Sequence, residues 1–204
     1  MKLIFLHGLG QDAHSWQKVQ DALSSLHSES FAIFSHPSES YQETKERLTE
    51  YLQQESEPFI LVGLSLGGVL ALELSSQDLP QLKGLVLSGT QYKLNTNLLY
   101  RLQILLFRMI PKRVFEKQGA NKQHMLQIFT ELKCININDT AKTCPLPSLV
   151  ICGSKDGANQ ASSKKLANLL PKGHYLEIAD GGHLLNTQKP HELAQAIKEF
   201  VARF

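Results

Sequence analysis

Short apolar runs alternate along this chain with longer stretches in which apolar residues recur every three or four positions. Runs of about four to eight residues are typical of strands buried on both faces of a sheet, and the longer pattern is typical of amphipathic helices. The apolar runs predict strands at residues 2–7, 31–35, 58–64, 83–88, 148–153 and 174–179.

The intervals between these runs carry helical patterns. They predict helices at residues 14–26, 41–54, 66–76 and 160–170, and a last helix near the C-terminus. The last helix has Leu193, Ile197 and Phe200 on one face and Pro190 in its first turn. Strands joined by helices predict a single α/β domain over 1–204, built on a mostly parallel sheet with helices on both faces. Ligands of such sheets bind beyond the carboxyl ends of the strands, so the chemistry is expected in the loops that follow them.

The composition agrees with one ordinary globular domain: 204 residues, 42% of them hydrophobic and 20% charged. A net charge of +2 argues against a nucleic acid or an anionic membrane as the main partner. No targeting segment is visible at the N-terminus, and no apolar stretch reaches the roughly 20 residues of a membrane span. The three cysteines, Cys134, Cys144 and Cys152, are not spaced like zinc ligands and favour reduced thiols and a cytoplasmic location.

A serine stands between two glycines where the third strand gives way to a helix. Gly63-Leu64-Ser65-Leu66-Gly67 fits the GxSxG turn that lifts a nucleophilic serine out of a sheet. The turn brings the backbones of strand and helix together, which leaves no room for side chains at 63 and 67. A serine there also lies at a helix N-terminus, where developing negative charge is stabilised. The alternative is a packing turn whose serine caps the helix.

A serine hydroxyl needs a base and an orienting carboxylate to act as a nucleophile at neutral pH. His183 lies in a glycine-rich loop after the last strand, and Asp156 lies in the loop after the fifth strand. Both are therefore expected at the same edge of the sheet as Ser65. Asp180 is interpreted as a turn-forming residue, and His36, after the second strand, is a weaker candidate for contact with substrate.

Acyl transfer also needs hydrogen-bond donors for the oxyanion of the tetrahedral intermediate. His7 and Gly8 follow the first strand and are interpreted as the anchor of a bent loop. The backbone N–H groups of Leu9 and Leu66 are the expected donors.

Four segments, FLHGLGQDAHSW, VGLSLGG, ICGSKD and GGH, together resemble the α/β-hydrolase superfamily. The resemblance covers nearly the whole chain and implies Ser65 as nucleophile, Asp156 as acid and His183 as base, with no cofactor and no metal. It also implies Leu9 and Leu66 as oxyanion-hole donors. The HGLG loop is similar to that of carboxylesterases and differs from the HGGG loop of other esterases. Because relatives usually have further strands before the HG strand, the resemblance implies an α/β-hydrolase sheet trimmed to about six strands.

Residues 91–147 lie where the superfamily often carries a helical lid. Between 93 and 142 there are nine Lys or Arg and three Asp or Glu, a net charge of +6 on an otherwise apolar segment. An apolar, basic lid suggests an acyl group with an anionic end, or a thioester. The alternative is a small helical cap that packs on the sheet and whose cations are solvated.

Three hypotheses of function follow from these residues. The leading one is a serine hydrolase, monomeric or homodimeric, that cleaves small carboxylic esters or thioesters through an acyl-enzyme. The second is a lyase of the same superfamily that uses the triad to abstract a proton. The third is a ligand-binding protein that retains the fold without catalysis.

Overall fold

The computed structural model describes residues 1–36, 38–91, 122–133, 135 and 137–204. The six strands are β1 Lys2–Leu6, β2 Ser28–Phe31, β3 Phe59–Leu64, β4 Leu82–Ser88, β5 Ser148–Gly153 and β6 Gly173–Ile178. They form one sheet in the order β2-β1-β3-β4-β5-β6, and each neighbouring pair is parallel. The predicted parallel sheet of six strands is confirmed.

The helices of the described residues lie between and after the strands. A 3-10 turn at Ala13–Trp16 leads into the first of them. They are α1 Gln17–Ala22, α2 Tyr41–Gln53, α3 Leu66–Leu74, α4 Lys122–Lys133, α5 Asn138–Thr143, α6 Gln160–Leu169, α7 Leu185–Gln188 and α8 Pro190–Val201. Pro190 stands in the first turn of α8, as the sequence predicts.

The strands alternate their side chains between two separate hydrophobic cores. Ile4 and Leu6 of β1 pack in a core with α2, α3 and α6, and the described helices α4 and α5 add residues to the same core. Leu3 and Phe5 of β1 face the opposite core, which is formed with the 3-10 turn, α1, α7 and α8. Both faces of the sheet are therefore covered, which is what the nearly continuous apolar strands require.

The second strand differs from its prediction. The sequence predicts a strand at 31–35, but the structure has β2 at Ser28–Phe31, with Leu3 opposite Ser28 and Leu6 opposite Phe31. β2 is an edge strand whose residues are all half-buried, so it needs no apolar run. The apolar residue Ile33, instead of extending β2, is buried in the core after the strand has ended.

Two helices also differ from the sequence prediction. The predicted helix at 14–26 is shorter: α1 ends at Ala22, and the backbone then turns into β2. The short helix α7, immediately after His183, has no counterpart in the sequence prediction. The predicted lid falls largely on residues 92–121, which lie outside the described residues.

The described part of the insertion is attached to the start of α2. The carboxylate of Glu131 in α4 accepts a hydrogen bond from the backbone N–H of Tyr41 at 2.8 Å. His124 in α4 bonds the backbone oxygen of Glu39 through its Nε2 atom. The insertion thus returns to the core on the face of the sheet that carries α2 and α3.

Candidate catalytic site

Ser65 occupies a strained turn between β3 and α3. Its φ is 52° and its ψ is −109°, in the region where residues with a Cβ are rarely found. The backbone N–H of Ser65 donates to the oxygen of Ser88 at 2.8 Å, so β4 holds the turn from the side. Strained residues of this kind persist where the surrounding structure determines them, and they are concentrated at functional sites.

Glycine is required on both sides of Ser65. A Cβ at position 63 would lie 2.4 Å from the carbonyl carbon of Gly67, and a Cβ at position 67 would lie 2.2 Å from the oxygen of Leu6. Both clashes are with backbone atoms, so no side-chain movement relieves them. The steric argument made from the sequence for these two positions is confirmed.

The Ser65 side chain does not cap α3. This observation removes the packing alternative, in which the serine serves as an N-cap. Among the described residues the hydroxyl forms no hydrogen bond, so a contact between Ser65 and His183 is not in place in this structure. Catalytic hydrogen bonds are often long in the absence of substrate and shorten in the complex.

Asp156 and His183 are in direct contact. The Nδ1 atom of His183 lies 2.8 Å from Oδ2 of Asp156, whose side chain is 6% exposed. A distance this short between a ring nitrogen and a carboxylate oxygen requires a hydrogen between them, so Nδ1 donates. In the neutral ring Nε2 then carries no hydrogen and can accept a proton, which is the tautomer that a base needs.

The loop after β4 joins Ser65 to this pair. Ser88 accepts the hydrogen bond from Ser65, and its neighbour Gly89 lies against the imidazole of His183. A Cβ at Gly89 would lie 2.9 Å from the ring atoms Cε1 and Nδ1. Ser65, Asp156 and His183 follow β3, β5 and β6, and the loop after β4 contacts both the backbone of Ser65 and the ring of His183.

The loop after β1 is fixed by the buried side chain of His7. Its Nδ1 atom donates to the oxygen of Gly8 at 2.9 Å, and its Nε2 atom accepts from the N–H of Ile33 at 3.0 Å. Burial lowers the pKa of His7, which keeps the ring neutral in this arrangement. His7 is thus a loop anchor, in agreement with the sequence interpretation.

The two expected oxyanion donors are not used elsewhere. Leu66 is the first residue of α3, and its N–H has no acceptor among the described residues. The N–H of Leu9 also has none there, whereas the N–H of Gly8 is directed to Oε1 of Gln11 at 3.2 Å. Of these loop groups, Leu9 and Leu66 are the ones available to a bound oxyanion.

The loop after β1 is tied to the segment that carries His183 by two side-chain amides. Nε2 of Gln11 donates to Oδ1 of Asn186 at 3.2 Å, and Nδ2 of Asn186 donates to Oε1 of Gln11 at 3.3 Å. Asn186 is fully buried and also donates to the backbone oxygen of Ser15 at 3.1 Å. No sequence motif indicated this pair, because its members are far apart in the chain.

A second amide, that of Asn159, lies against the Asp156 carboxylate. Nδ2 of Asn159 lies 2.8 Å from Oδ1 and 2.9 Å from Oδ2 of Asp156, and its Oδ1 accepts from Gln91 at 2.6 Å. Sequence reasoning missed both residues. The only signal was the position of Asn159 three residues after the predicted acid.

The two weaker candidates lie apart from this cluster. Asp180 has a φ of 56°, accepts from Lys155 across 2.8 Å and is largely exposed, which agrees with its interpretation as a turn residue. The side chain of His36 is exposed and bonds Ser38 at 3.3 Å. Neither side chain contacts Asp156 or His183.

The described residues offer no other obvious chemical centre. Within those ranges no group of three or more His, Cys, Asp or Glu side chains is arranged to hold a metal ion. The helices that the structure describes include none long and apolar enough to cross a membrane.

The sequence matches the model of a known protein family over most of its length. A family model described as "Alpha/beta hydrolase family" matches residues 3–196. A search of curated sequences finds no significant match.

Solved structures with the same architecture cover nearly the whole chain. NosK from Streptomyces actuosus has a TM-score of 0.82 at 16% identity, with 99% of this chain and 97% of that chain covered. A hydrolase from Pseudomonas aeruginosa has a TM-score of 0.81 at 18% identity, covering 98% and 89%. A thermophilic esterase from Thermogutta terrifontis has a TM-score of 0.79 at 18% identity, covering 100% and 90%. At these identities the likeness is one of fold.

Proposed function

This chain belongs to the alpha/beta hydrolase family, and from that membership we propose a serine hydrolase that cleaves small carboxylic esters or thioesters through an acyl-enzyme. The observation that carries the proposal is the 2.8 Å contact between Asp156 and His183 beside the strained turn at Ser65. A serine hydroxyl and a base whose tautomer is fixed by a carboxylate are what acyl transfer needs.

The reaction proceeds in two halves. His183 accepts the Ser65 proton at Nε2 as Oγ attacks the carbonyl carbon, and the oxyanion accepts hydrogen bonds from the N–H groups of Leu9 and Leu66. The intermediate collapses to an acyl-enzyme as His183 returns the proton to the departing alcohol or thiol. Water then attacks the acyl group with His183 again as base, which releases the acid and restores Ser65. Asp156 keeps its negative charge and stabilises the imidazolium throughout.

The substrate class is proposed from the charge of the insertion. The net charge of +6 between 93 and 142 favours an acyl group with an anionic end over a neutral one of the same length. The competing account is a cap whose cations are simply solvated. Matched succinyl and butyryl esters separate the two, because they differ in charge at the far end and are similar in length.

The test is a panel of p-nitrophenyl esters and acyl thioesters of graded acyl length, assayed with the wild type and Ser65→Ala. We expect a burst of p-nitrophenol from the wild type and a loss of kcat of about 1,000-fold or more in Ser65→Ala. The matched control is Ser76→Ala, two residues after the end of α3, where the hydroxyl donates to the backbone oxygen of Glu73.

Two results would contradict the proposal. Equal turnover by Ser65→Ala and the wild type would remove the nucleophile. Absence of a burst, together with an elimination reaction that requires Ser65 and His183, would favour the lyase hypothesis instead.

A further inference from the structure

Asn159 stands at the N-cap of α6 but does not act as a cap. An asparagine at this position usually accepts a hydrogen bond from a backbone N–H of the first turn through its side-chain oxygen. Here the side chain makes no such bond. The residue is 6% exposed, so its amide is committed to other partners inside the protein.

Those partners are the carboxylate of Asp156 and the imidazole of His183, which together form the candidate relay. Nδ2 of Asn159 lies 2.8 and 2.9 Å from the two carboxylate oxygens of Asp156 and 3.1 Å from Nδ1 of His183. Because Nδ1 already carries the hydrogen that bridges to Asp156, it cannot accept another. The amide hydrogens of Asn159 are therefore donated to the carboxylate.

Gln91 fixes which end of the Asn159 amide faces Asp156. Its Nε2 atom donates to Oδ1 of Asn159 at 2.6 Å. A flipped amide would set two donors against each other at Gln91 and two acceptors against each other at Asp156. Gln91 follows β4 and directly precedes residues 92–121, so it connects the start of the insertion to the carboxylate.

We propose that Asn159 is a positioning residue of the relay: its amide turns the Asp156 carboxylate toward His183 and disperses part of the carboxylate charge, and Gln91 holds the amide in that orientation. The catalytic part of this inference rests on the proposed serine-hydrolase function. The structural part, an effect of Asn159 on His183, does not.

The other described groups around Asp156 and His183 do not compete with Asn159 for this positioning role. From β5, Sγ of Cys152 lies 3.9 Å from Oδ2 of Asp156, and burial raises the pKa of Cys152 to about 11, so the thiol is neutral. The loop after β4 presents Gly89, which has no side chain. The nearby charges of Lys155 and Asp180 pair with each other at the surface.

The physical consequence concerns protonation of the base. An amide that donates to a carboxylate weakens the pull of that carboxylate on a neighbouring imidazolium. Without the amide, the full charge of Asp156 stabilises protonated His183, and a protonated base is inactive. Removal of Asn159 should therefore move the acidic limb of the rate profile to higher pH.

The experiment measures kcat/KM against pH with p-nitrophenyl acetate. We expect Asn159→Ala to lose about 10- to 100-fold at pH 7, because the carboxylate is no longer held in place. Its acidic limb should rise by about 0.5 to 1 pH unit. Asn159→Asp, which adds a negative charge, should move the limb further, and Gln91→Leu should move it in the same direction by less.

Two variants separate positioning from helix capping. Asn159→Ser retains a capping side chain but cannot reach both carboxylate oxygens, so we expect it to behave like Asn159→Ala. Ser40→Ala, which removes the cap of α2, should lower stability without moving the limb. Recovery of the wild-type profile by Asn159→Ser would overturn the proposal, as would an unmoved limb in Asn159→Ala.

A measurement without substrate distinguishes failure of this inference from failure of the proposed function. In ¹⁵N-histidine NMR spectra, with His183 assigned by its loss in His183→Gln, Asn159→Ala should raise the titration midpoint of His183, because the undispersed charge of Asp156 stabilises the imidazolium. An unchanged midpoint would overturn the inference. If the wild type hydrolyses no ester, the proposed function fails while this spectrum still decides the role of Asn159.

Discussion

The side-chain amides of Gln11 and Asn186 hydrogen-bond each other in both directions, at 3.2 and 3.3 Å. The pair joins the loop that holds Leu9, the proposed oxyanion donor, to the helix that begins two residues after His183. Two parts of the proposed reaction centre that lie at opposite ends of the chain are thus fixed relative to each other by a pair of neutral side chains.

Breaking this amide pair should lower both stability and activity. Asn186→Leu leaves the Gln11 amide and the oxygen of Ser15 without their partner, which we expect to cost about 2 to 3 kcal/mol in the free energy of unfolding. In a double-mutant cycle of Gln11→Ala and Asn186→Ala, measured by urea unfolding, the coupling should be about 1 kcal/mol. Gln17→Leu is the control, because that amide contacts only the exposed Asp21. A coupling near zero would contradict the pairing.

Alanine at position 89 should displace the base. Gly89 has a φ of 54°, and its added Cβ would lie 2.9 Å from the His183 ring. We expect Gly89→Ala to lose about 10- to 100-fold in kcat/KM for p-nitrophenyl acetate. Gly10→Ala is the comparison: it has a similar strain at a φ of 81° but no atom within 4 Å of the new Cβ. Equal activity of the two variants would mean that strain alone, without the clash, accounts for the loss.

The glycines of the serine turn should differ in whether a second substitution rescues them. Gly67→Ala clashes with the backbone oxygen of Leu6 at 2.2 Å, so no side-chain change relieves it. Gly68→Ala clashes with Oγ1 of Thr90 at 1.9 Å, and Thr90→Ala removes that atom. We expect Gly68→Ala/Thr90→Ala to regain most of the melting temperature lost in Gly68→Ala, and Gly67→Ala/Thr90→Ala to regain none. Rescue of both would contradict this account.

Glu39 should stabilise the fold near neutral pH and lose this effect in acid. Burial acts to raise the pKa of Glu39, but hydrogen bonds from Arg47 and Ser35 outweigh it and lower the pKa to about 2. A carboxyl whose pKa is depressed in the folded state stabilises above its unfolded value, 4.5, and loses that contribution as the pH falls toward 2.

Urea unfolding of Glu39→Gln and the wild type tests this pH dependence. The variant should be less stable by up to about 3 kcal/mol at pH 7, and the difference should shrink between pH 4.5 and 2. Glu46→Gln, at an exposed position of the nearby helix α2, is the control. A difference that stays constant over this range would show that lost packing, and not the charge of Glu39, is responsible.

Much of the fold follows from local patterns. The buried strands are predicted to within a residue or two because each is covered on both faces and so must be apolar throughout. β2 could not be predicted in this way, because its sequence is SESF, which contains three polar residues and no apolar run. The apolar residues at 31–35 belong largely to the loop that follows, where Ile33 fills the core.

The candidate site likewise contains residues that the sequence predicts and residues that it does not. Ser65, Asp156 and His183 could be chosen from the sequence because each follows a strand, and parallel strands end at one edge. The side-chain amides of Asn159, Gln91, Gln11 and Asn186 could not be chosen in this way. Loops bring each of them to its partner, and the course of a loop leaves no periodic pattern in the sequence. The roles of all these residues remain predictions for the experiments above.

The adjacency of β4 and β5 has a consequence for how this chain can change. β4 and β5 are parallel neighbours, with Leu85 opposite Ser148 and Ser88 opposite Ile151, so the long segment between them leaves the sheet at the carboxyl end of β4 and rejoins it at the opposite edge, at the start of β5. Gly89 and Gln91, at the start of this segment, contact His183 and Asn159, and the helices α4 and α5 add residues to the core, so these parts have to be kept. Chimeras that replace residues 92–121 alone are therefore the natural way to test whether the insertion sets selectivity.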